Sequence, residues 1–204
     1  GGELTYYKDP LEKDRELKAK VLRGADVIYN GVAYPEYTDA DMLIKTGDMT
    51  LIDTDNDSVY DLILVNEFKT VVANKYVSVN TTLVDKYSAS RNVLFDEEDT
   101  LNYNKFYKFD TEMSISVLNE WDVVAVYQSK NTSGVKVTKL YASNDEVSGV
   151  IESLTDEAVT INGQTYQISE EYKQYQAEIG NLVLGNNTTI LLDRDGKVTG
   201  IKKG

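Results

Sequence analysis

Tyr29-Asn30-Gly31-Val32-Ala33-Tyr34 returns as Ile161-Asn162-Gly163-Gln164-Thr165-Tyr166 and, without its glycine, as Tyr103-Asn104-Lys105-Phe106-Tyr107. Asn-Gly is a strong signal for a two-residue hairpin turn, because both central residues need positive φ. The middle copy lacks the glycine, so its turn must be built differently. A polar residue suited to capping a helix follows each copy: Thr38, Asp110 or Ser169. Each cap opens a stretch suited to about two helical turns, with acids near the helix start in Thr38-Asp39-Ala40-Asp41 and Ser169-Glu170-Glu171. In the third copy Tyr172, Tyr175 and Ile179 fall on one helical face and Gly180 supplies the stop, as Gly47 does in the first.

Working outward from these turns, period-two runs such as Met49-Thr50-Leu51-Ile52 and Val135-Lys136-Val137-Thr138-Lys139-Leu140 read as strands. A second hairpin follows each helix: Met49 to Val65, Val123 to Ala142, and Thr188 to Ile201. Leu17 to Leu22, Thr82 to Lys86 and Val147 to Leu154 supply a strand ahead of each first turn. Leu4-Thr5-Tyr6-Tyr7 reads as a hairpin partner of Glu16 to Val21, and its strand completes a unit lying upstream. The expected fold is all-β, mainly β with short helices, as tandem small five-stranded barrels, OB-like or SH3-like. Units are expected at 1–70, 71–145 and 146–204.

Composition narrows the chemistry. The 204 residues include 34 acidic and 21 basic side chains, a formal net charge of −13 that opposes nucleic-acid binding. No run approaches the roughly 18 apolar residues of a bilayer span, so a soluble chain without membrane insertion is expected. Histidine and cysteine are absent, which removes Ser-His-Asp and Cys-His catalysis, disulfides, and the usual zinc and iron–sulfur ligands. Carboxylate, tyrosine and lysine chemistry remains. The start, Gly1-Gly2-Glu3, carries neither an initiator Met nor a signal peptide and is read as the edge of a cut-out segment, Gly1 being a cloning remnant.

Asp53-Thr54-Asp55-Asn56-Asp57-Ser58-Val59-Tyr60-Asp61 is the most informative local motif. Asp53, Asp55, Asp57 and Asp61 occupy loop positions one, three, five and nine, the spacing at which oxygen ligands wrap calcium. Ser58 replaces the usual glycine, Leu64 stands where an EF-hand has its glutamate, and both flanks read as strands, so the candidate is a strand-loop-strand site. The competing reading is a solvated hairpin tip, since Asp and Asn stabilise turns with their own side chains. Asp193, Asp195 and Gly196 form a truncated relative that reads as a turn.

The single tryptophan, Trp121, aligns with Gly47 and Gly180 at the helix exit. It reads as a core or inter-domain plug, with an exposed sugar-stacking platform as the rival. Tyr6, Tyr7, Tyr103 and Tyr107 carry the same two readings. The run Asp96-Glu97-Glu98-Asp99 is read as a solvated loop. A carboxylate pair is the standard hydrolytic arrangement left open, but no spacing singles out a nucleophile or oxyanion donor, and the chain is read as not an enzyme.

The stretches Leu51 to Val65, Val147-Ser148-Gly149-Val150-Ile151-Glu152-Ser153 and Asn162 to Ser169 resemble the internal β-rich region of surface proteins of Firmicutes that carry S-layer homology domains. The resemblance implies an extracellular, cell-wall- or S-layer-associated location and a structural or display role. It implies a cell-envelope polymer or another surface protein as partner. The chain contains no S-layer homology repeat, so anchoring to wall polymer transfers to none of its residues. The expected function is a non-catalytic structural or spacer module stiffened by Ca2+, monomeric as an isolated fragment. A glycan- or protein-binding adhesion module is the first alternative, and a carboxylate-dependent hydrolase accessory or catalytic domain the second.

Overall fold

The computed structural model describes residues 2–9 and 14–204; Gly1 lies outside them. The chain forms two compact units, one of Gly1–Glu67 with Ser129–Gly134 and one of Phe68–Gln128 with Val135–Gly204. The architecture is mainly β with short helices, as expected. Its sheets are open, however, and barrel closure is not among the pairings.

In the first unit β1 (Gly2–Tyr7) pairs antiparallel with β2 (Glu16–Tyr29), matching Leu4 with Ala19 and Tyr7 with Glu16. Asn30, at φ 47°, and Gly31 turn the chain into β3 (Val32–Ala33). A single 3-10 turn, Asp39–Met42, follows rather than two turns of helix. Thr38 donates to the Asp41 carboxylate from its backbone N–H, at 2.7 Å, and from its hydroxyl. Gly47 then admits β4 (Asp48–Ile52): a Cβ there would stand 1.8 Å from the Asn66 carbonyl oxygen. β4 pairs antiparallel with β5 (Tyr60–Asn66), which runs parallel to β2, so the order is β1-β2-β5-β4 with β3 also on β2. Ala25, Val27, Tyr29, Ile63 and Val65 form its core.

The second unit holds two sheets. Its seven-stranded sheet contains β6 (Lys69–Val77), β7 (Thr82–Asp85), β8 (Val93–Leu94), β9 (Tyr103–Lys108), β10 (Thr111–Met113), β11 (Val123–Gln128) and β12 (Val137–Ser143). They are ordered β10-β9-β12-β11-β6-β7-β8, and β9 runs parallel to β12. The edges end in strands of three and two residues. Here the sequence reading needs correction twice. Asn104 is not in a turn: it sits inside β9 opposite Thr138, and the chain reverses at Phe109 and Asp110, with φ 49° and 61°. Nor does Asp110 cap the helical turn, because Ser114 does so by accepting a hydrogen bond from the Ser116 N–H ahead of Ile115–Val117. With no glycine to mark it, the turn was fixed by the β9–β12 ladder, and Asp tolerates the left-handed conformation.

The five-stranded sheet contains β13 (Glu146–Leu154), β14 (Ala158–Ile161), β15 (Gln164–Gln167), β16 (Asn187–Leu192) and β17 (Val198–Lys202), ordered β15-β14-β13-β16-β17. Asn162 (φ 53°) and Gly163 make the expected turn. Ser169 caps α1 (Glu170–Gln174) through the Tyr172 N–H, α2 (Gln176–Ile179) follows, and Gly180 ends it at φ 107°. A single parallel bridge joins Ile168 to Val198.

The continuous apolar run of β11 has a physical reason. Val124 and Val126 face the core of the seven-stranded sheet with Val71, Phe106 and Leu140. Val123, on the opposite face, packs with Val72 and with Leu191 of the five-stranded sheet. Alternate residues of one strand therefore fill two interfaces, which demands apolar side chains on both faces. Tyr87 seals this seam: its hydroxyl donates to the Ile201 carbonyl at 2.7 Å and accepts from the Ile201 N–H. A Cβ at Gly200 would lie 2.7 Å from that hydroxyl oxygen, so the close approach requires glycine.

Candidate functional site

The hairpin between β4 and β5 places its acids at an exposed tip. Carboxylate oxygens of Asp53, Asp55 and Asp57 lie within 4.8 Å of one another. Asp61 is directed elsewhere, accepting from the Thr54 N–H at 3.0 Å and the Thr54 hydroxyl at 2.5 Å. Asp53 accepts from the backbone N–H groups of Asp57 and Ser58, and Asp57 from that of Val59. Asn56 and Ser58, at φ 60° and 70°, provide the curvature.

Electrostatics divides the cluster. Desolvation and the neighbouring Asp57 charge hold the Asp55 carboxyl above its ordinary range. For Asp53 desolvation pulls the same way, but hydrogen bonds from the Ser58, Asp57 and Asn56 N–H groups outweigh it and the pKa is lowered. Converging carboxylates with this mutual repulsion fit a hard cation, which would supply the missing positive charge. Asp53, Asp55 and Asp57 would hold it, with the remaining oxygens drawn from solvent and backbone.

Trp121 is half-buried where the seven- and five-stranded sheets meet, packed against Val72, Val123 and Leu191. Its φ is positive at 72°, as are those of Gly47 at 75° and Gly180 at 107°, although Gly180, with ψ 170°, lies outside the left-handed helical region. The three aligned positions thus share a positive φ but not one conformation, and only glycine adopts positive φ without steric cost. Beside the indole opens a cleft of about 330 Å³ lined by Asn119, Glu120, Asn144, Glu146 and Lys202. Asn119 and Asn144 carry no motif, and only the folding of both sheets brings them together.

The tyrosines separate by exposure. Tyr6, Tyr7 and Tyr103 are 40, 41 and 44% exposed. Tyr107 instead stacks on Tyr141 with centroids 4.6 Å apart, and the Arg194 guanidinium lies 4.2 Å from the Tyr141 ring centroid. The acidic run serves its surroundings: Glu97 accepts from the Ser114 hydroxyl and the Ile115 N–H, and Asp99 from the Leu101 and Asn102 N–H groups.

Several buried charges gave no sequence signal. Asp85 accepts from the N–H groups of Val72, Tyr87 and Ser88, and lies 3.6 Å from Nε of the buried Arg91. Arg91 donates to the Thr70 carbonyl at 2.6 Å, while Glu171 of α1 accepts from the Thr70 N–H. Burial raises the Glu171 pKa against that hydrogen bond. Lys108 donates to Asp122 at 2.7 Å and to the Val117 carbonyl, and Asp122 also accepts from the Asn119 N–H. Among the described residues no helix is long and apolar enough to cross a membrane.

No protein-family model matches the sequence, and comparison with curated proteins and with solved structures returned no match.

Proposed function

We propose that the chain is a non-catalytic structural or spacer module of a bacterial cell-surface protein, extracellular and associated with the wall or S-layer. Its units are small five-stranded barrels in plan, OB-like in strand order, and calcium stiffens the Asp53–Asp57 tip. The placement of the buried charges carries this reading. Asp85, Arg91, Lys108 and Asp122, together with the half-buried Glu171, each hold a backbone N–H or carbonyl. Charges used in this way fasten connections that carry no regular ladder, a property suited to a chain that must keep its shape under load.

The strand order supports repetition. Each sheet has a hairpin, a short helical turn and a second hairpin, with parallel pairing between their parts: β2 with β5, β9 with β12, and Ile168 with Val198. An OB-like barrel unites these pairings in one scheme, opened at a different seam in each sheet. Antibodies against this chain are expected to label intact cells that make the parent protein and to find it in the wall fraction. Confinement of the parent protein to the cytosol overturns the proposal.

A further inference from the structure

The cleft beside Trp121 combines three features that the packing of the sheets does not need together. The indole is the first, standing in a left-handed backbone position at φ 72° where the two corresponding positions are Gly47 and Gly180. Part of its surface rests on Val72, Val123 and Leu191, and the Lys86 ammonium lies 4.2 Å from its centroid. Among the described residues its Nε1–H makes no hydrogen bond. The second feature is a pair of exposed carboxamides, Asn119 and Asn144, whose side chains likewise make none among the described residues. Each offers two N–H donors and a carbonyl acceptor.

Charge balance is the third feature. Lys86 is paired with Glu120, Lys202 with Glu146 at 2.9 Å, and Asp122 with the buried Lys108 at 2.7 Å. The rim therefore presents cations and anions already neutralised by each other. An ionic ligand entering the cleft would have to break one of these pairs. A neutral ligand with several hydroxyls would not, and it could use both carboxamides while laying an apolar ring face on the part of the indole that Lys86 and the apolar residues leave exposed. From this arrangement we propose that the Trp121 cleft binds a neutral saccharide, with Asn119 and Asn144 holding adjacent hydroxyl groups and Trp121 packing on the sugar ring.

Trp121 is the chain's one tryptophan, so its fluorescence reports the cleft without labelling. The full chain is titrated with cellobiose, maltose and chitobiose and screened on an array of neutral oligosaccharides, with polygalacturonate as the anionic arm. A saturable change in emission with at least one neutral sugar is expected. The Asn119→Ala/Asn144→Ala double variant keeps the reporter and alters only exposed side chains. It should unfold at the same urea concentration as the parent yet bind about tenfold or more weakly, the loss set by two neutral hydrogen bonds. Silence across the neutral sugars, binding of polygalacturonate alone, or unchanged affinity in the double variant overturns the proposal.

Discussion

The tips of two hairpins carry the same Asp-x-Asp beginning and put it to opposite use. At Asp53-Thr54-Asp55 the carboxylates of Asp53 and Asp55 converge with that of Asp57 at an exposed tip. In Asp193-Arg194-Asp195 the leading aspartate is 3% exposed, and its Oδ1 accepts from the N–H groups of Asp195 and Lys197, both at 2.9 Å. Among the described residues its Oδ2 is buried without a hydrogen-bond partner. Burial pushes the Asp193 pKa up to about 6 from 3.8, against the lowering effect of the Lys197 N–H. An Asp-rich turn is thus an exposed carboxylate cluster or an internal staple according to whether the sheet beneath it draws the first aspartate inward.

The largest expected difference between the tips is in pH dependence. Because the folded-state pKa of Asp193 is raised, the native state binds more protons than the unfolded chain between the two pKa values. Its contribution is therefore most favourable at acid pH and declines as pH rises toward and through about 6. The full difference is at most about 3 kcal/mol. Urea unfolding at pH 4 and pH 7.5 should show Asp193→Asn gaining on the parent as pH rises. Asp53→Asn should show no such gain over this range, since the lowered Asp53 pKa stabilises at every pH above 3.8 and that benefit is lost only on acidification below it. A common trend for both variants would remove the distinction.

Next in size is truncation. At pH 4, Asp193→Ala is expected to destabilise by about 2 kcal/mol, because it strips two backbone N–H groups of their acceptor. Asp53→Ala should lower the urea midpoint less, its N–H groups being free to bond water. Calcium should reverse the ranking of the two tips. At ten times the dissociation constant it would add about 1.4 kcal/mol to the stability of the parent, and protect the tip at 53–61 from proteolysis. EDTA or Asp55→Ala should remove both effects, while Asp193→Asn leaves them intact. Equal cutting with and without EDTA would discard the calcium proposal. The smallest effect is expected from Thr54→Val, which frees Asp61 of its hydroxyl donor and should tighten calcium binding a few-fold by calorimetry.

Much of the β framework was legible because hairpins are written locally. Asn30-Gly31 and Asn162-Gly163 turn where their chemistry requires, and the strands beginning near Met49, Val123 and Thr188 follow from alternation and turn signals. The middle turn was misplaced because Tyr103-Asn104 mimics a local pattern while a long-range ladder to β12 holds it straight. The clustering of Asp53, Asp55 and Asp57 was legible from their spacing, whereas Asp61 is diverted by a hydroxyl from within the same loop. Asn119 and Asn144 were not, since an asparagine carries no spacing that marks it as part of a cleft.

Taken alone, the order of residues settled the strand class, the sharp turns and the absence of histidine and thiol chemistry, all consequences of local conformation and side-chain inventory. Tertiary packing alone decided that the sheets stay open, that Trp121 stands at a seam, and that Asp193 is buried while Asp53 is not. Burial and distant pairing depend on which surfaces meet. That outcome is set by the summed contacts of segments far apart in the chain, so no short stretch encodes it.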